Sequence, residues 1–248
     1  MTHTVKISLV IPAWNEAALL PRLLDSVAAA RDGWTESGRS ADEIEVIVVD
    51  NGSTDATAQI AHEYGCRVVP VEKRVIAASR NGGAAAAQGE ILCFVDADSV
   101  LHRDSFIAVA AAMTDPRSVG GATGVTMDRW SAGIALAYVM MLPIAWLTGF
   151  DTGVVFSRRA DFEALGGYDE RRPIAEDVDF LWRLRRLGRL RGQHLVRLRH
   201  VKAVTSARKF DKHGDWHWFT QMPAIAWKLL RDRHAIGQFA RRYWYEDR

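Results

Sequence analysis

Short apolar runs alternate with amphipathic stretches along the first hundred residues of the chain. The runs predict strands at residues 6–11, 45–50, 67–71 and 91–96. The stretches between them repeat apolar residues at helical spacing and predict helices near residues 19–27, 56–64 and 77–89. Such alternation is typical of right-handed βαβ units. It therefore predicts an α/β protein with a doubly wound, mostly parallel sheet.

The rest of the chain is less regular. Its pattern predicts helices at residues 106–113, 134–148 and 160–165, and another that starts at 176. It predicts strands at residues 119–125, 151–157 and 201–205. We expect a domain over residues 1–215, followed by an aromatic and basic helical tail over residues 216–248.

Two carboxylates one residue apart follow the apolar run of residues 91–95. If the strand continues through them, its alternation points Asp96 and Asp98 the same way, with Ala97 opposite. Like charges in such a place favour a nearby cation, and oxygen ligands suit Mg²⁺ or Mn²⁺. The alternative is a strand end with two solvated acids in a turn.

Polar residues also follow two of the other predicted strands. Residues 12–16 (Pro-Ala-Trp-Asn-Glu) follow the first strand, and Asp50 ends the second. Ligands of doubly wound sheets bind at the carboxyl ends of the strands, so these loops and residues 96–98 should line one crevice. The first loop lacks the glycines of a dinucleotide site, and its proline and tryptophan suit a base or ribose better than a pyrophosphate.

Composition changes this picture little. The chain has 248 residues, 48% of them hydrophobic, and a formal net charge of +2, so nothing indicates a nucleic-acid partner. Arginines are concentrated between residues 171 and 199. Cys66 and Cys93 fall in or beside predicted strands and are expected to be free, buried thiols in a reducing compartment. The polar start predicts no signal peptide, and the expected location is the cytoplasm.

The longest apolar stretch covers residues 134–150 and contains Pro143. At about 17 residues it is at the short limit for a membrane span. We therefore expect a buried or interfacial helix there rather than a transmembrane one.

Taken together, several motifs resemble family 2 glycosyltransferases of the GT-A fold. They lie at residues 11–16 (Ile-Pro-Ala-Trp-Asn-Glu), 48–55 (Val-Val-Asp-Asn-Gly-Ser-Thr-Asp), 78–83 (Ala-Ser-Arg-Asn-Gly-Gly), 94–98 (Phe-Val-Asp-Ala-Asp), 166–170 (Gly-Gly-Tyr-Asp-Glu) and 176–179 (Glu-Asp-Val-Asp). The resemblance covers residues 5 to about 215. It implies a nucleotide-binding half over residues 5–100 and an acceptor-binding half over residues 101–215.

The resemblance also implies roles for individual residues. Asp177 would be the base that deprotonates the acceptor hydroxyl, with Glu176 beside it. Asp98 would ligate Mg²⁺ or Mn²⁺. Asp96 would contact ribose and would also reach the metal through water. The other implied nucleotide-sugar contacts are Pro12, Ala13, Trp14, Glu16, Asp50, Arg80, Ala97, Gly153, Arg208 and Lys209.

Several of these residues have a purely structural alternative. Asp50 could only cap the following helix, and Glu176 and Asp177 could only be a favourable helix start. Arg208 and Lys209 could be solvated. His213 is a further candidate metal ligand, although histidine is more often not one.

The implied function is inverting sugar transfer from a UDP- or GDP-sugar to a hydroxyl acceptor, which includes lipid-linked acceptors. The apolar helix and the aromatic, basic tail would suit peripheral contact with the inner face of the cell membrane. Equally, the tail could be a helix packed on the domain. A related nucleotidyltransferase and a non-catalytic scaffold are the alternatives. The first loop argues against the former, and the retained carboxylates argue against the latter.

Overall fold

The centre of the molecule is a seven-stranded sheet. The computed structural model describes residues 5–148, 152–172 and 175–220, and only the backbone for residues 141–148 and 218. The strands of this sheet are β1 (Ile7–Ala13), β2 (Ile44–Asp50), β3 (Arg67–Pro70), β4 (Ile91–Phe94), β6 (Ser118–Ala122), β8 (Val155–Arg158) and β9 (His194–Arg197). Their spatial order is β3-β2-β1-β4-β8-β6-β9.

The first four strands in that order are parallel, with β1 between β2 and β4. Strand β8 runs antiparallel to both of its neighbours, whereas β9 is again parallel to β6. This arrangement confirms the predicted α/β fold with a mostly parallel sheet. It also places the ends of β1, β2 and β4 at one edge.

Helices cover both faces of the sheet. They are α1 (Leu20–Glu36), α2 (Thr57–Glu63), α3 (Ile76–Ala86), α4 (Ser105–Thr114), α5 (Ala132–Thr148), α6 (Arg159–Ala164) and α7 (Glu176–Leu190). Alternate residues of β1 belong to different cores. Leu9 packs in the core with α1 and α4, and Val10 packs in the core with α3 and α7. The sheet is therefore doubly wound, as predicted.

A second, smaller sheet was not predicted from the sequence. It consists of β5 (Ser99–Val100), β10 (Ala203–Thr205) and β7 (Val125–Met127), in that order. Strand β10 lies within the strand predicted at residues 201–205, whereas β5, with two residues, is too short for a periodic pattern to stand out. Two short helices follow it, α8 (Arg208–His213) and α9 (His217–Thr220). The small sheet brings α8 back to the edge where β4 ends.

Some predicted boundaries were wrong. Strand β1 continues through Pro12 to Ala13, because β4 pairs only with Ile7–Val10 and the missing amide of Pro12 interrupts no ladder on that side. Strand β4 ends at Phe94, two residues earlier than predicted. The predicted strand at 119–125 is two strands, since Gly124 has φ +78° and turns the chain between them.

The apolar stretch forms α5, which begins at Ala132. Within the described residues, no helix has both the length and the hydropathy needed to cross a bilayer. Cys66 and Cys93 are free and buried, as expected. Most of the predicted tail, residues 221–248, lies outside the described residues.

Candidate active site

The loops after β1 and β2 are joined by hydrogen bonds. The amide of Asn15 donates to Ser53 Oγ (3.0 Å), and the amide of Thr54 donates to Asn15 Oδ1 (2.8 Å). The amide of Glu16 donates to Thr57 Oγ1 (2.8 Å). Asn15 adopts φ +52°, which asparagine tolerates better than most residues. The two loops therefore form one rigid wall of the crevice.

This wall positions the first set of predicted nucleotide contacts. Pro12 and Ala13 are buried at the end of β1. The guanidinium of Arg74 lies 5.5 Å from the ring centroid of Trp14. Asp50 Oδ1 accepts from the amide of Ser53 (3.0 Å). Asp50 thus fixes the loop that follows it, but it does not cap α2, whose N-cap residue is Ala56.

The two carboxylates after β4 belong to a turn, not to the strand. The amide of Ser99 donates to the carbonyl of Asp96 (3.1 Å), and Ala97 between the acids is buried. Asp96 is paired with Arg80 (2.8 Å), whereas Asp98 is paired with Arg208 (3.3 Å). The predicted common orientation rested on a strand that continues through both acids, whereas β4 ends at Phe94. The predicted cationic partners are two different arginines.

Arg80 joins the turn after β4 to the start of α7. It lies in α3, is 2% exposed, and donates to Asp96 (2.8 Å), Glu176 (2.7 Å) and Asp177 (2.6 Å). We call these four residues the Arg80 network. A buried guanidinium requires such partners, because an unpaired buried charge is costly. The network places the predicted base beside the Asp96–Asp98 turn.

Residues 168–170 are bonded to Asn81, the residue that follows Arg80 in α3. The side-chain amide of Asn81 donates to the carbonyl of Tyr168 (2.9 Å) and to Glu170 (3.0 Å). The amide of Tyr168 donates in return to Asn81 Oδ1 (2.8 Å). The Tyr168 ring packs 5.2 Å from the Arg80 guanidinium, so neighbouring residues of α3 hold both the ring and the network.

The environment of Asp177 favours its neutral form. Burial raises the pKa of Asp177 to about 7, and the nearby carboxylates of Glu176 and Asp96 also raise it. The positive charge of Arg80 lowers this pKa but does not cancel the increase. The Tyr168 side chain interacts with Asp177 and lowers that pKa. Burial and the Asp177 charge raise the pKa of Tyr168 itself. A carboxyl group with a pKa near neutral is suited to accept a proton at physiological pH.

Arg208 connects α8 to the first loop. Its guanidinium donates from both terminal nitrogens to Glu16 (2.8 Å each), and Glu16 is only 2% exposed. The same guanidinium is 3.3 Å from Asp98. Asp128 accepts from the amide of Ala207 (2.9 Å) and thereby holds the start of α8 in place.

The site carries an excess of negative charge. The residues joined by Arg80 and Arg208 are five carboxylates, namely Glu16, Asp96, Asp98, Glu176 and Asp177. Even with Asp177 protonated, two guanidiniums cannot neutralise the four other carboxylates, so the electrostatics favour an additional cation.

The predicted metal ligands fit this requirement only in part. In the described part of the chain, no three His, Cys, Asp or Glu residues lie close enough to hold a metal ion. His213 ends α8, with its ring 5.7 Å from that of His217, and does not complete a three-ligand set with Asp96 and Asp98. The carboxylate oxygens of Asp96 and Asp98 do fit a metal site, because Mg²⁺ sites often combine one or two carboxylates with substrate phosphates and water.

Two further predicted contacts have visible structural roles. Gly153 has φ +106°, and a Cβ there would collide with the carbonyl oxygen of Gly124. This glycine therefore permits the backbone approach between the start of β8 and the end of β6. Lys209 is half-buried on α8, directly after Arg208.

Sequence reasoning missed three features of this site. It assigned Arg80 to the base of the nucleotide and did not foresee its burial among Asp96, Glu176 and Asp177. It gave no role to Tyr168 or Asn81, and it did not pair Glu16 with Arg208. The burial of Arg80 has one sequence signal, since it lies among small residues in a helix that packs closely on the sheet.

Comparison with known proteins supports one assignment. Residues 8–163 match the model of the family described as glycosyl transferase family 2. The PGL/p-HBAD biosynthesis glycosyltransferase of Mycobacterium bovis (BCG) is 29% identical over 186 residues, which cover 70% of this chain and 67% of that protein. Validoxylamine A glucosyltransferase of Streptomyces hygroscopicus is 33% identical over 46% of this chain, but the match spans only 27% of that relative's length.

Solved structures show the same fold. The mannosyltransferase PcManGT from Pyrobaculum calidifontis, in complex with GDP-Man and Mn²⁺, aligns over 97% of this chain and 64% of its own with a TM-score of 0.61 and 21% identity. Glucosyl-3-phosphoglycerate synthase from Mycobacterium tuberculosis, with Mn²⁺ and UDP, aligns over 84% of this chain and 75% of its own with a TM-score of 0.59 and 22% identity. With the family match over residues 8–163, these findings establish that the chain belongs to glycosyl transferase family 2.

Proposed function

We propose that this chain transfers a sugar from a nucleoside diphosphate sugar to a hydroxyl acceptor, with inversion at the anomeric carbon. The observation that carries the proposal is the Arg80 network. It joins Asp96, from the predicted donor side, to Asp177 at the start of α7 through one buried side chain. A donor and an acceptor bound at this edge would therefore lie on either side of a shared network.

The donor is proposed to bind against the first loop and the Asp96–Asp98 turn. Mg²⁺ or Mn²⁺ would be held by Asp98, assisted by Asp96, and when bound would neutralise charge that develops on the diphosphate leaving group. Arg208 lies beside Asp98, and its positive charge would attract the diphosphate while its terminal nitrogens remain bonded to Glu16. The named ligands of the two structural relatives support a UDP- or GDP-sugar as donor.

Asp177 is proposed to accept the proton of the acceptor hydroxyl, with Glu176 as its neighbour. Its raised pKa makes it a stronger base than an exposed aspartate. General bases of this kind contribute roughly a hundred- to ten-thousand-fold to rate. A single base on the acceptor side supports direct in-line displacement, and hence the inverted product.

Donor binding can be tested with a matched pair of variants. Thermal shift with UDP and GDP, with and without Mn²⁺, should reveal Mn²⁺-dependent stabilisation of the wild type. Asp98→Ala should lose that dependence, whereas Asp32→Ala, which removes an exposed carboxylate from α1, should keep it. Nucleotide binding that neither EDTA nor the Asp98 substitution changes would contradict the proposed metal ligand.

Catalysis can be tested within the first turn of α7. Nucleotide release from UDP- and GDP-sugars should fall at least about a hundredfold in Asp177→Asn, with donor affinity retained. Asp179→Asn is the control, because Asp179 is paired instead with Arg183 (2.7 Å) and Arg172 (3.0 Å). Equal losses in both variants would mean that the turn matters only for structure. The anomeric configuration of the product, read by NMR, tests inversion.

A lipid-linked acceptor is supported by the exposed side of α5. Leu136, Val139 and Met140 are 44%, 56% and 58% exposed. These residues would offer an apolar surface to an acyl or polyprenyl chain. Acceptors of increasing alkyl length should then show a falling KM at constant kcat, and a KM independent of chain length would reject this acceptor class.

A further inference from the structure

Helix α7 presents a basic and apolar face to solvent. Phe180, Leu181 and Leu184 bury its opposite side in the core. The outward side consists of Trp182, the half-buried Arg185, and the exposed Arg186, Arg189 and Leu190, and we call these five residues the α7 outer face. The first four recur at the i, i+3, i+4 and i+7 spacing of one helical stripe.

Two arginines of this face, Arg186 and Arg189, carry charge that no described carboxylate balances. Residues 180–210 contain ten lysines and arginines and no aspartate or glutamate, although the whole chain has a net charge of only +2. Two neighbouring arginines outside the face, Arg183 and Arg191, are paired with Asp179 and Asp161. No carboxylate in the described ranges lies within ion-pair distance of Arg186 or Arg189. Their positive charge therefore faces solvent.

Large apolar side chains lie among these arginines. Trp182 is 50% exposed and Leu190 is 81% exposed, and the guanidinium of Arg185 lies 6.0 Å from the Trp182 ring centroid. Exposing a tryptophan and a leucine beside uncompensated charge has no evident benefit for folding. Both features favour a partner that is anionic at its surface and apolar beneath.

We propose that the α7 outer face docks on an anionic phospholipid surface. Phosphate headgroups would pair with the arginines, while Trp182 and Leu190 would enter the boundary between headgroups and acyl chains. A nucleic acid would satisfy the arginines but would leave Leu190 without an apolar environment. The lipid surface accounts for both parts of the face.

Docking through this face has a geometric consequence for the site. Asp177 and Arg189 are twelve residues apart on one helix, or about 18 Å along its axis. A docked α7 would hold the candidate active site near the headgroups. The proposal itself concerns a surface outside the Arg80 network, so vesicle binding tests it independently of sugar transfer.

The test uses the full chain and vesicle co-sedimentation. Vesicles of phosphatidylcholine alone are compared with equimolar phosphatidylcholine and phosphatidylglycerol at low and high salt. The wild type should bind only the anionic vesicles, and less at high salt. The triple variant R185Q/R186Q/R189Q should bind about a hundredfold more weakly, since each basic residue near an anionic surface contributes about 1 kcal/mol.

Two further variants distinguish the contribution of the α7 outer face to vesicle binding from that of the overall charge. R39Q/R103Q/R117Q removes the same charge from exposed positions elsewhere and should keep most of the binding. Trp182→Ala retains every arginine and should still weaken binding severalfold, because a purely ionic contact would not need the indole. Circular dichroism and thermal unfolding show whether each variant is folded.

Three results would overturn the proposal. They are equal losses in the two triple variants, unchanged vesicle binding in the α7 variant, or equal binding to vesicles with and without phosphatidylglycerol. Labelled single-stranded RNA is tested in parallel. Binding to RNA that depends on the α7 arginines, without vesicle binding, would assign the face to nucleic acid instead.

Discussion

Asp177 illustrates how a buried ion pair can leave a carboxylate basic. Arg80 contacts it at 2.6 Å, yet the same guanidinium is shared with Glu176 and Asp96. One positive charge divided among three negative ones does not offset the burial of Asp177, so its pKa is raised to about 7. The chemical capacity of this residue therefore depends on how many groups compete for Arg80.

The pH dependence of turnover should reflect this balance. Because the proposed base, Asp177, must be deprotonated to act, kcat/KM should rise with pH along a limb centred near pH 7. Tyr168→Phe removes an interaction that lowers the pKa of Asp177, so the limb should move to higher pH. Tyr64→Phe, at an exposed tyrosine, is the control. Coincident profiles for the three proteins would show that Tyr168 has no influence on the base.

The same residue should affect stability in the opposite sense to a typical aspartate. Its folded-state pKa lies above its ordinary value of 3.8, so the folded state binds more protons between about pH 4 and 7. Stability from this group is present at low pH and is lost as pH rises through that window. Between pH 5 and 8, the wild type should lose roughly 2 kcal/mol relative to Asp177→Asn in urea unfolding. A constant difference between the two proteins would contradict the raised pKa.

At the scale of elements, helix α8 is fixed to the first loop by the Arg208–Glu16 ion pair. The pair joins residues that are 192 positions apart in sequence. Since Glu16 is 2% exposed, removal of Arg208 alone would leave a buried carboxylate without its bidentate partner. The position of α8 and the burial of Glu16 therefore depend on each other.

A double-mutant cycle tests this dependence. Arg208→Gln should destabilise the fold by roughly 3–5 kcal/mol, the usual cost of breaking a buried pair from one side. Adding Glu16→Gln should recover much of that loss, because the buried charge is removed. Lys209→Gln, one residue along α8, should change stability by less than about 1 kcal/mol. Additive effects of the two substitutions in the pair would contradict the coupling.

The elements of seven or more residues were predictable because each repeats a pattern over its length. Strand β2 and helix α7 are examples, with a continuous apolar run and an apolar stripe at helical spacing. Strand β5 was not predictable, since two residues carry no period, and its pairing with β10 joins positions about a hundred residues apart. The end of β4 was misplaced because Val95 is apolar but lies beyond the last paired residue.

At the scale of the whole molecule, the candidate site is built from both halves of the chain. Motif order alone indicated the candidate residues, and the structure brings Asp98 and Asp177 to one edge of the sheet. The partners of those residues were not predictable. The network of Arg80 with Glu176 and the pairing of Glu16 with Arg208 arise only when distant segments pack together. A sequence identifies charged groups but does not state which of them share a counterion.

Asn81 is the residue whose loss should separate the two halves most directly. Its side chain makes three hydrogen bonds to Tyr168 and Glu170, across a sequence separation of 87 to 89 residues. Asn81→Ala should cost roughly 2–3 kcal/mol and lower kcat with little change in nucleotide affinity. Gln59→Ala removes an exposed amide and serves as the comparison. A variant with normal kcat would show that these bonds support stability alone.

The long separation between Glu16 and Arg208 also bears on when the protein becomes active during synthesis. A chain synthesised only as far as residue 207 already contains the first loop, the Asp96–Asp98 turn and Asp177, but not Arg208. Contacts of such high sequence separation close late, because the loop entropy between them must be lost first. Such an unfinished chain would lack the bidentate partner of Glu16, so the proposed donor site would be completed only after synthesis had passed α8.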